Sequence, residues 1–161
     1  MVEFELVDVE IPEGGNVILG QSHFIKTVED LYETMAESGM SIKFGLAFCE
    51  ASMKRLVRSD GNDPGLIAHA EKEAMKIGAG HSFIIFMKEG FPINIVNRIQ
   101  NVSEVTTLYA ATANPLKVLV AVDGDQRGIM GVLDGMKPLG KEAEADKAER
   151  KDFLRKIGYK R

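Results

Sequence analysis

The chain has 161 residues, of which 45% are hydrophobic, so it is long and apolar enough for one domain with a buried core. Its formal net charge of −4 excludes a broad positive field that would attract nucleic acid or an anionic membrane, and no apolar run is long enough to span a bilayer. Cys49 is the only cysteine, which excludes an intrachain disulfide and fits a reducing compartment, so we expect a cytoplasmic protein without nucleic-acid or membrane partners.

The first predicted elements are two short strands and one helix. Residues 4–11 alternate apolar and polar side chains until Pro12, which predicts a strand with one buried face. Residues 17–19 are a second short apolar run. Thr27 is the candidate N-cap of a helix that carries apolar residues at helical spacing and ends at Gly39.

A hairpin is predicted next. Residues 42–48 have the composition of a strand, and residues 55–57 are their candidate partner across a loop at residues 50–53. Residues 60–62 read Asp-Gly-Asn, which predicts a turn because these residue types tolerate the backbone conformations of tight turns.

The second helix has clear signals at both ends. Asp63 is a typical N-cap residue, Pro64 suits the first helical position, and Gly78 follows the last residue of an apolar stripe. Residues 82–87 then form a nearly continuous apolar run, which predicts a strand buried on both faces in the middle of a sheet.

The rest of the chain contains shorter elements and one charged helix. Pro92 begins a short helix, and a longer helix is predicted over residues 141–157. Three strands are predicted between them, over residues 105–111, 116–122 and 128–133. Because hairpins and helical crossovers both occur, we expect an α/β-type (α+β) fold with helices packed on a mixed sheet, in a single domain over residues 1–161.

The turn that joins the second helix to the apolar strand is the strongest candidate site. Gly78 and Gly80 leave the backbone free to adopt positive φ and to approach a ligand, and His81 follows at the entrance to the strand. Imidazole serves as a nucleophile, a base or a phosphate carrier near neutral pH. The alternative is a helix C-cap followed by a polar histidine at a strand edge. His23 and His69 are interpreted as surface residues.

The end of the predicted strand at residues 42–48 supplies two further candidates. If this strand runs antiparallel to the strand at residues 82–87, Glu50 comes level with His81 and could hold the imidazole by a hydrogen bond. Cys49 is a candidate nucleophile, but a lone cysteine at a strand end is more often a small buried hydrophobe, and we favour that interpretation.

Three polar residues near turns are candidate ligand contacts. Asn94 and Asn114 carry amides that suit recognition of a base or ribose, and Arg127 could bind a phosphate with its guanidinium fork. Each has a simpler explanation: helix capping for Asn94, turn chemistry for Asn114, and charge balance with nearby aspartates for Arg127.

A P-loop is not present. Residues 135–141 match the first seven positions of that motif, but Glu142 replaces the hydroxyl residue that it requires. Pro138 also removes one backbone N–H from the loop that would cradle phosphates.

The last helix carries acidic residues early and basic residues late, as the helix dipole favours. Its basic end is interpreted as a solvated terminus rather than an RNA site. Its apolar residues could dock it on the domain or on a neighbouring subunit; they are Ala145, Ala148, Phe153, Leu154 and Ile157.

Six segments taken together are more specific than any of these motifs alone. They are FGLAFCEAS (44–52), KRLVR (54–58) with GND (61–63), IGAGHSF (77–83), FPIN (91–94), AATANP (110–115) and RGIMGVLDG (127–135). In this order they resemble the adenosine-specific kinases, a family of archaea and bacteria, along nearly the whole chain. Met53 departs from the resemblance, since a small residue such as glycine is expected there, and this affects only the detail of the hairpin.

The resemblance implies a kinase-like phosphotransfer protein that binds adenosine or AMP and carries a phosphorylated histidine. We match His81 to that histidine. Backbone amides at Gly78 and Gly80, together with Arg127, would stabilise the phosphoryl group. The residues that would help to hold the nucleoside are Glu50, Asn94 and Asn114.

No residue is assigned as a metal ligand, and no cofactor is certain, although a covalent phosphate on His81 and a Mg²⁺ ion are both candidates. The expected partners are adenosine or AMP and further copies of the chain in a homo-oligomer. Two alternatives from other classes stay open: a non-catalytic sensor or regulatory protein that binds adenosine or AMP, and a purely structural assembly subunit.

Overall fold

The computed structural model describes residues 1–161 as eight strands, four α-helices and one short 3₁₀ turn, which confirms the α+β class. The strands are β1 (Glu3–Val9), β2 (Asn16–Ser22), β3 (Lys43–Cys49), β4 (Val57–Gly61), β5 (Ser82–Lys88), β6 (Val105–Thr112), β7 (Leu116–Asp123) and β8 (Gln126–Asp134). The helices are α1 (Thr27–Glu37), α2 (Pro64–Ile77), α3 (Val96–Gln100) and α4 (Glu144–Lys156), with the 3₁₀ turn at Pro92–Asn94. None of the helices combines the length and the hydropathy that a membrane span requires.

The strands form two sheets in which every neighbouring pair is antiparallel. The larger sheet has the order β4-β3-β5-β2-β6, and the smaller has the order β1-β7-β8. The helical crossovers expected from the sequence are present: α1 leads from β2 to β3, and α2 leads from β4 to β5. Each crossover joins strands of the same direction, but one antiparallel strand lies between them, so no parallel ladder forms.

Strand β5 lies at the centre of the larger sheet, as its continuous apolar sequence predicts. One face of this sheet packs on α2 and on the inner face of the smaller sheet, and Ile84 and Phe86 of β5 belong to that cluster. The other face packs on α1 and α3, and Phe83 and Ile85 belong to the second cluster. Burial on both faces therefore holds the turn before β5 firmly in place.

Helix α2 begins and ends as predicted. The Asp63 carboxylate accepts a hydrogen bond from the Leu66 backbone N–H at 3.0 Å, and Pro64 follows at the first helical position. Gly78 ends the helix with a left-handed φ of 60°. The helix packs directly on β3, since a Cβ on Gly45 would overlap the backbone of Leu66 and Ile67.

Two predicted boundaries are wrong. Thr27 is inside α1 rather than at its N-cap, because its Oγ1 donates a 2.5 Å hydrogen bond to the Phe24 carbonyl and the chain is already helical at Lys26. Residues Asp60 and Gly61 extend β4 instead of turning, so the partner strand of β3 is Val57–Gly61 and not residues 55–57.

The side chain of Asn62 explains the longer hairpin. Its Oδ1 accepts from the Phe44 N–H at 2.8 Å and its Nδ2 donates to the Ile42 carbonyl at 2.8 Å, which ties the end of β4 to the start of β3. These bonds replace the turn that the Asp-Gly-Asn sequence suggested. Near Pro92 the predicted short helix is split into the 3₁₀ turn and α3, with Ile95 outside helical geometry between them.

Candidate functional site

A cleft of about 530 Å³ opens where the end of α2 faces the β3–β4 loop and the β7–β8 hairpin. Four of the predicted site residues line it: Glu50, Gly78, Gly80 and Arg127. The other residues of its lining are Cys49, Ala51, Lys54, Arg55, Leu56, Val57, Ala74, Met75, Asp125 and Gln126. Three segments far apart in the sequence thus meet at one surface.

The glycine turn borders this cleft and contains two backbone donors without partners. Gly78 in the left-handed conformation ends α2, and its N–H donates to the Ala74 carbonyl at 2.8 Å. The next two N–H groups, those of Ala79 and Gly80, have no acceptor in the protein. Adjacent free N–H groups next to a left-handed residue are a typical anion-binding arrangement, and a buried N–H without a partner is unfavourable. Gly80 is part of the cleft lining, so a bound anion could satisfy its N–H, whereas Ala79 is 2% exposed and lies outside the lining.

His81 is held firmly by its backbone. Its φ of 65° is in the left-handed region, which is uncommon for a residue other than glycine, although histidine is enriched there. Its N–H donates to the Cys49 carbonyl at 2.8 Å, and its own carbonyl accepts from the Ser22 N–H at 2.9 Å. The imidazole stacks on Phe48 with ring centroids 5.9 Å apart. The ring therefore lies beside the cleft, next in sequence to Gly80, and is not part of its lining.

Arg127 connects the smaller sheet to the end of α2. Its Nε donates to the Ile77 carbonyl at 3.0 Å, and its Nη2 donates to the Glu5 carboxylate at 2.9 Å. Nη1 has no partner in the protein and is available to a ligand. The guanidinium also offsets the partial negative charge of the helix C-terminus, which would otherwise repel an anion in the cleft.

Glu50 does not hold His81. Strands β3 and β5 run antiparallel as expected, but the Glu50 carboxylate accepts from the Leu56 N–H at 3.0 Å and from Arg58 Nη2 at 3.2 Å. The expected bond to the imidazole is absent because the carboxylate is engaged within its own hairpin. The hydrogen bond from the Leu56 N–H, and after it the hydrogen bond and charge of Arg58, hold the pKa of Glu50 below its ordinary value against the opposing effect of desolvation.

The two predicted asparagines lie outside the cleft. Asn94 Oδ1 accepts from the Phe91 N–H at 3.0 Å and caps the 3₁₀ turn. The Asn114 N–H donates to Thr112 Oγ1 at 2.9 Å within the β6–β7 connection. Both therefore make the local contacts that turn and cap chemistry predicts.

Cys49 is a buried residue at the back of the cleft. It is 6% exposed, and its Sγ lies 3.6 Å from the Ala74 carbonyl in donor geometry. Burial raises the pKa of the thiol, so the neutral form is favoured. The interpretation as a small hydrophobe is confirmed, and a role as nucleophile is disfavoured.

The sequence matches the family profile described as adenosine specific kinase over residues 7–160. The chain belongs to the adenosine-specific kinase family. Among solved structures it is similar to that of the PH1918 protein from Pyrococcus horikoshii OT3, with 46% sequence identity and a TM-score of 0.95. The alignment covers 100% of this chain and 99% of that one. The search of curated proteins found no match.

Within this family member, the main residues that sequence reasoning missed are Lys54 and Arg55. Arg55 has a left-handed φ of 51° and approaches Asp125 at 3.5 Å, so the β3–β4 loop and the β7–β8 hairpin meet across the cleft. Lys54 lies near Glu50 without forming an ion pair. The sequence marks this place only by two adjacent basic residues directly after Met53, the position where the family resemblance favours a small residue, and it does not show what they face.

The conformation of Met53 explains why a small residue such as glycine is favoured at this position. Its φ is 56°, in the left-handed region that glycine adopts without strain, and its side chain is exposed. The loop thus keeps the backbone shape that a glycine would favour. This shape places Lys54 and Arg55 at the cleft.

Proposed function

We propose that the protein binds adenosine or AMP in the cleft at the end of α2 and transfers a phosphoryl group through His81. Membership of the adenosine-specific kinase family supports a kinase activity related to adenosine. The observation that carries the proposal is that Gly80, whose N–H has no acceptor in the protein, lines the same cleft as Arg127 and directly precedes His81. Phosphoryl transfer depends mainly on positioning and charge neutralisation, and these groups supply both.

Electrostatics supports a phosphate at this position. The cleft brings together three cations, Lys54, Arg55 and Arg127, in a protein whose net charge is −4. Arg55 and Arg127 form ion pairs with Asp125 and Glu5, whereas Lys54 and Nη1 of Arg127 form none. A phosphate monoester would gain charge-assisted hydrogen bonds from these groups.

The remaining lining suits a nucleoside. Ala51, Leu56 and Met75 provide apolar surface on which a base can pack, and Gln126 provides an amide for its polar edge. A volume of about 530 Å³ is within the usual range for small-molecule sites. In this proposal the nucleoside contacts come from the cleft lining, including the Glu50 segment, rather than from Asn94 and Asn114.

The transfer of the phosphoryl group has two steps. A ring nitrogen of His81 attacks the terminal phosphorus of a nucleotide-type donor, so an N–P bond forms while the donor P–O bond breaks and the donor leaves as an anion. The 5′-hydroxyl oxygen of adenosine then attacks this phosphorus, the N–P bond breaks, and the hydroxyl proton passes to solvent. For both steps the imidazole must leave Phe48 and turn towards the cleft by side-chain rotation.

Mg²⁺ would bind here with the phosphates of the donor rather than to a protein cage. Both carboxylates of the cleft, Glu50 and Asp125, are already engaged by arginine side chains. A divalent ion held mainly by phosphate oxygens and water fits the known preference of Mg²⁺. Its contribution would be to neutralise charge on the donor.

One observation favours a second candidate, a sensor that binds adenosine or AMP without turnover. The imidazole stacks on Phe48 and is not part of the cleft lining. A ligand could therefore occupy the cleft without touching His81.

Incubation of the purified protein with adenosine and nucleoside triphosphates, with and without Mg²⁺, tests the proposal. AMP formation and a phosphate on the peptide that contains His81 are expected. Replacement His81→Asn should abolish both, because asparagine tolerates the left-handed backbone but cannot carry phosphate as imidazole does. Replacement His69→Asn is the matched control, since His69 bonds the Glu10 carbonyl outside the cleft.

The outcomes separate the candidates. Saturable AMP binding without turnover supports the sensor and contradicts transfer. Phosphate found on His69 or His23 contradicts the site, and absence of adenosine and AMP binding contradicts both functions and leaves the structural subunit.

A further inference from the structure

The C-terminal arm, defined as residues 136–161, is attached to the protein only by its chain connection. No hydrogen bond or ion pair joins it to residues 1–135. None of its residues is buried, and α4 makes no extended contact with another helix or strand. The arm is therefore an element without a packing partner in its own chain.

A helix of this length needs a partner. The 13 residues of α4 are within the range where isolated helices are marginal in water, because packing of an apolar face supplies most helix stability. Phe153 and Ile157 are 58% and 44% exposed, and Leu154, the residue after Phe153, is on the same side of the helix. At 100° per residue, Ala145 and Ala148 fall on the opposite side of the helix. The exposed apolar side is therefore the one that carries Phe153, Leu154 and Ile157.

The smaller sheet has a free apolar face. Its inner face packs into the core, whereas five large apolar side chains on or beside its outer face are exposed. They are Phe4, Leu6, Leu119, Met130 and Leu133. An antiparallel sheet with one solvated face normally carries polar residues on that face, so this composition indicates a contact surface.

The backbone of the same sheet leaves room for a helix. A Cβ placed on Gly128 or on Gly131 of β8 would meet no atom within 4 Å. Gly131 pairs with Leu119 and Gly128 pairs with Ala121, so both glycines lie on the outer face beside small or apolar neighbours. A helix can approach such a surface closely.

Charge complementarity favours docking of the C-terminal arm on the rest of the protein. The arm, residues 136–161, contains nine Lys or Arg and five Asp or Glu, a formal charge of +4. Residues 1–135 contain eleven Lys or Arg and nineteen Asp or Glu, a formal charge of −8. A basic arm and an acidic body attract each other, and repulsion between two acidic bodies is reduced when each receives the arm of the other.

We infer that the C-terminal arm docks on the outer face of the β1–β7–β8 sheet of a second copy of this chain. If each of two copies docks its arm on the sheet of the other, both apolar sheet faces and both α4 helices are covered. Such an exchange satisfies the self-complementarity of a symmetric interface. The proposal is independent of the phosphotransfer reaction, because the arm contributes no residue to the cleft.

Light scattering after size exclusion tests the inference on the full chain. The wild type is expected to have a mass of at least twice the 17.7 kDa of one chain. The double replacement Phe153→Glu with Ile157→Glu should shift it to the single-chain mass, since it places charge on the apolar side of α4. The matched control Ala145→Glu with Ala148→Glu adds the same charge on the opposite side and should leave the mass unchanged. Neither variant changes a residue within 1–135, so loss of folding of that part does not explain a change in mass.

Cysteine cross-linking tests the partner surface. Chains with Leu119→Cys, mixed with chains with Phe153→Cys, should form disulfide-linked heterodimers under oxidation, while each variant alone should not. A wild-type monomer, an oligomer that survives the Phe153 and Ile157 replacements, or failure of the mixture to cross-link would overturn the inference. A chain with both cysteines that closes a disulfide within itself, when diluted with wild type, would also overturn it.

Discussion

Arg127 donates a 3.0 Å hydrogen bond from Nε to the carbonyl oxygen of Ile77, and this bond joins the β7–β8 hairpin to the last turn of α2. The two residues belong to different layers of the fold. The bond holds a cation at the glycine turn, where a Cβ on Gly78 would lie 3.2 Å from Arg127 Nε, so it links the packing of the two sheets to the chemistry of the cleft.

Replacement Arg127→Gln should weaken AMP binding more than adenosine binding. A hydrogen bond to a charged group contributes about 1.5–3 kcal/mol, so AMP affinity should fall about ten-fold or more while adenosine affinity changes little. Calorimetric titration with both ligands measures this difference. The control Arg98→Gln removes an exposed ion pair with Glu37 outside the cleft lining and should change neither affinity. Equal losses for AMP and adenosine would contradict phosphate contact by Arg127.

Replacement Gly78→Ala should cost stability and also binding. An alanine at a φ of 60° is strained by about 1–2 kcal/mol, and its Cβ would lie 3.2 Å from Arg127 Nε. Gly14→Ala is the matched control, because Gly14 has a φ of 69° but open space around its Cβ position. Chemical denaturation should show a similar loss for both variants, whereas only Gly78→Ala should weaken AMP binding. An unchanged AMP affinity in Gly78→Ala would show that the turn does not take part.

Glu50 should make the protein sensitive to acid. Its folded pKa is below the ordinary value of 4.5, so the carboxylate stabilises the fold above that pH, and this stabilisation is lost as the pH falls through the folded pKa. Glu50→Gln should therefore unfold more easily than wild type at neutral pH, and the difference should shrink in acid. Thermal unfolding across this pH range measures it. Glu13→Gln, on an exposed turn, is the control, and a difference independent of pH would contradict the assignment.

Cys49 should resist thiol reagents in the folded protein. Its thiol is buried and its pKa is raised by burial, so little reactive thiolate is present. Labelling with a chromogenic disulfide should be slow for the native chain and rapid after denaturation. Rapid labelling of native protein that AMP suppresses would instead indicate an accessible thiol in the cleft.

Much of the fold could be predicted because local signals agree with tertiary packing. Asp63, Pro64 and Gly78 mark α2 with a cap, a first-turn proline and a left-handed end, all of which act within a few residues. The boundaries failed where distant partners override the local pattern. Asn62 bonds to the start of β3 and thereby extends β4 through a sequence that resembles a turn.

The candidate site was predicted only in part. Glycine spacing pointed to Gly78, Gly80 and His81, because positive φ and close approach are local properties of the backbone. The contribution of Lys54 and Arg55 could not be derived, since a pair of basic residues in a loop carries no information about what faces it.

The ends of α2, the central buried strand and the glycine turn before His81 follow from the amino-acid sequence alone, because they depend on residue type and on short-range geometry. The bond of Arg127 to Ile77, the pairing of Glu50 with Arg58 rather than His81 and the lack of extended contacts by α4 are visible only after the chain has folded. Those outcomes depend on how two sheets and four helices pack, and hydrogen-bond groups pair with whichever partner that packing brings within reach.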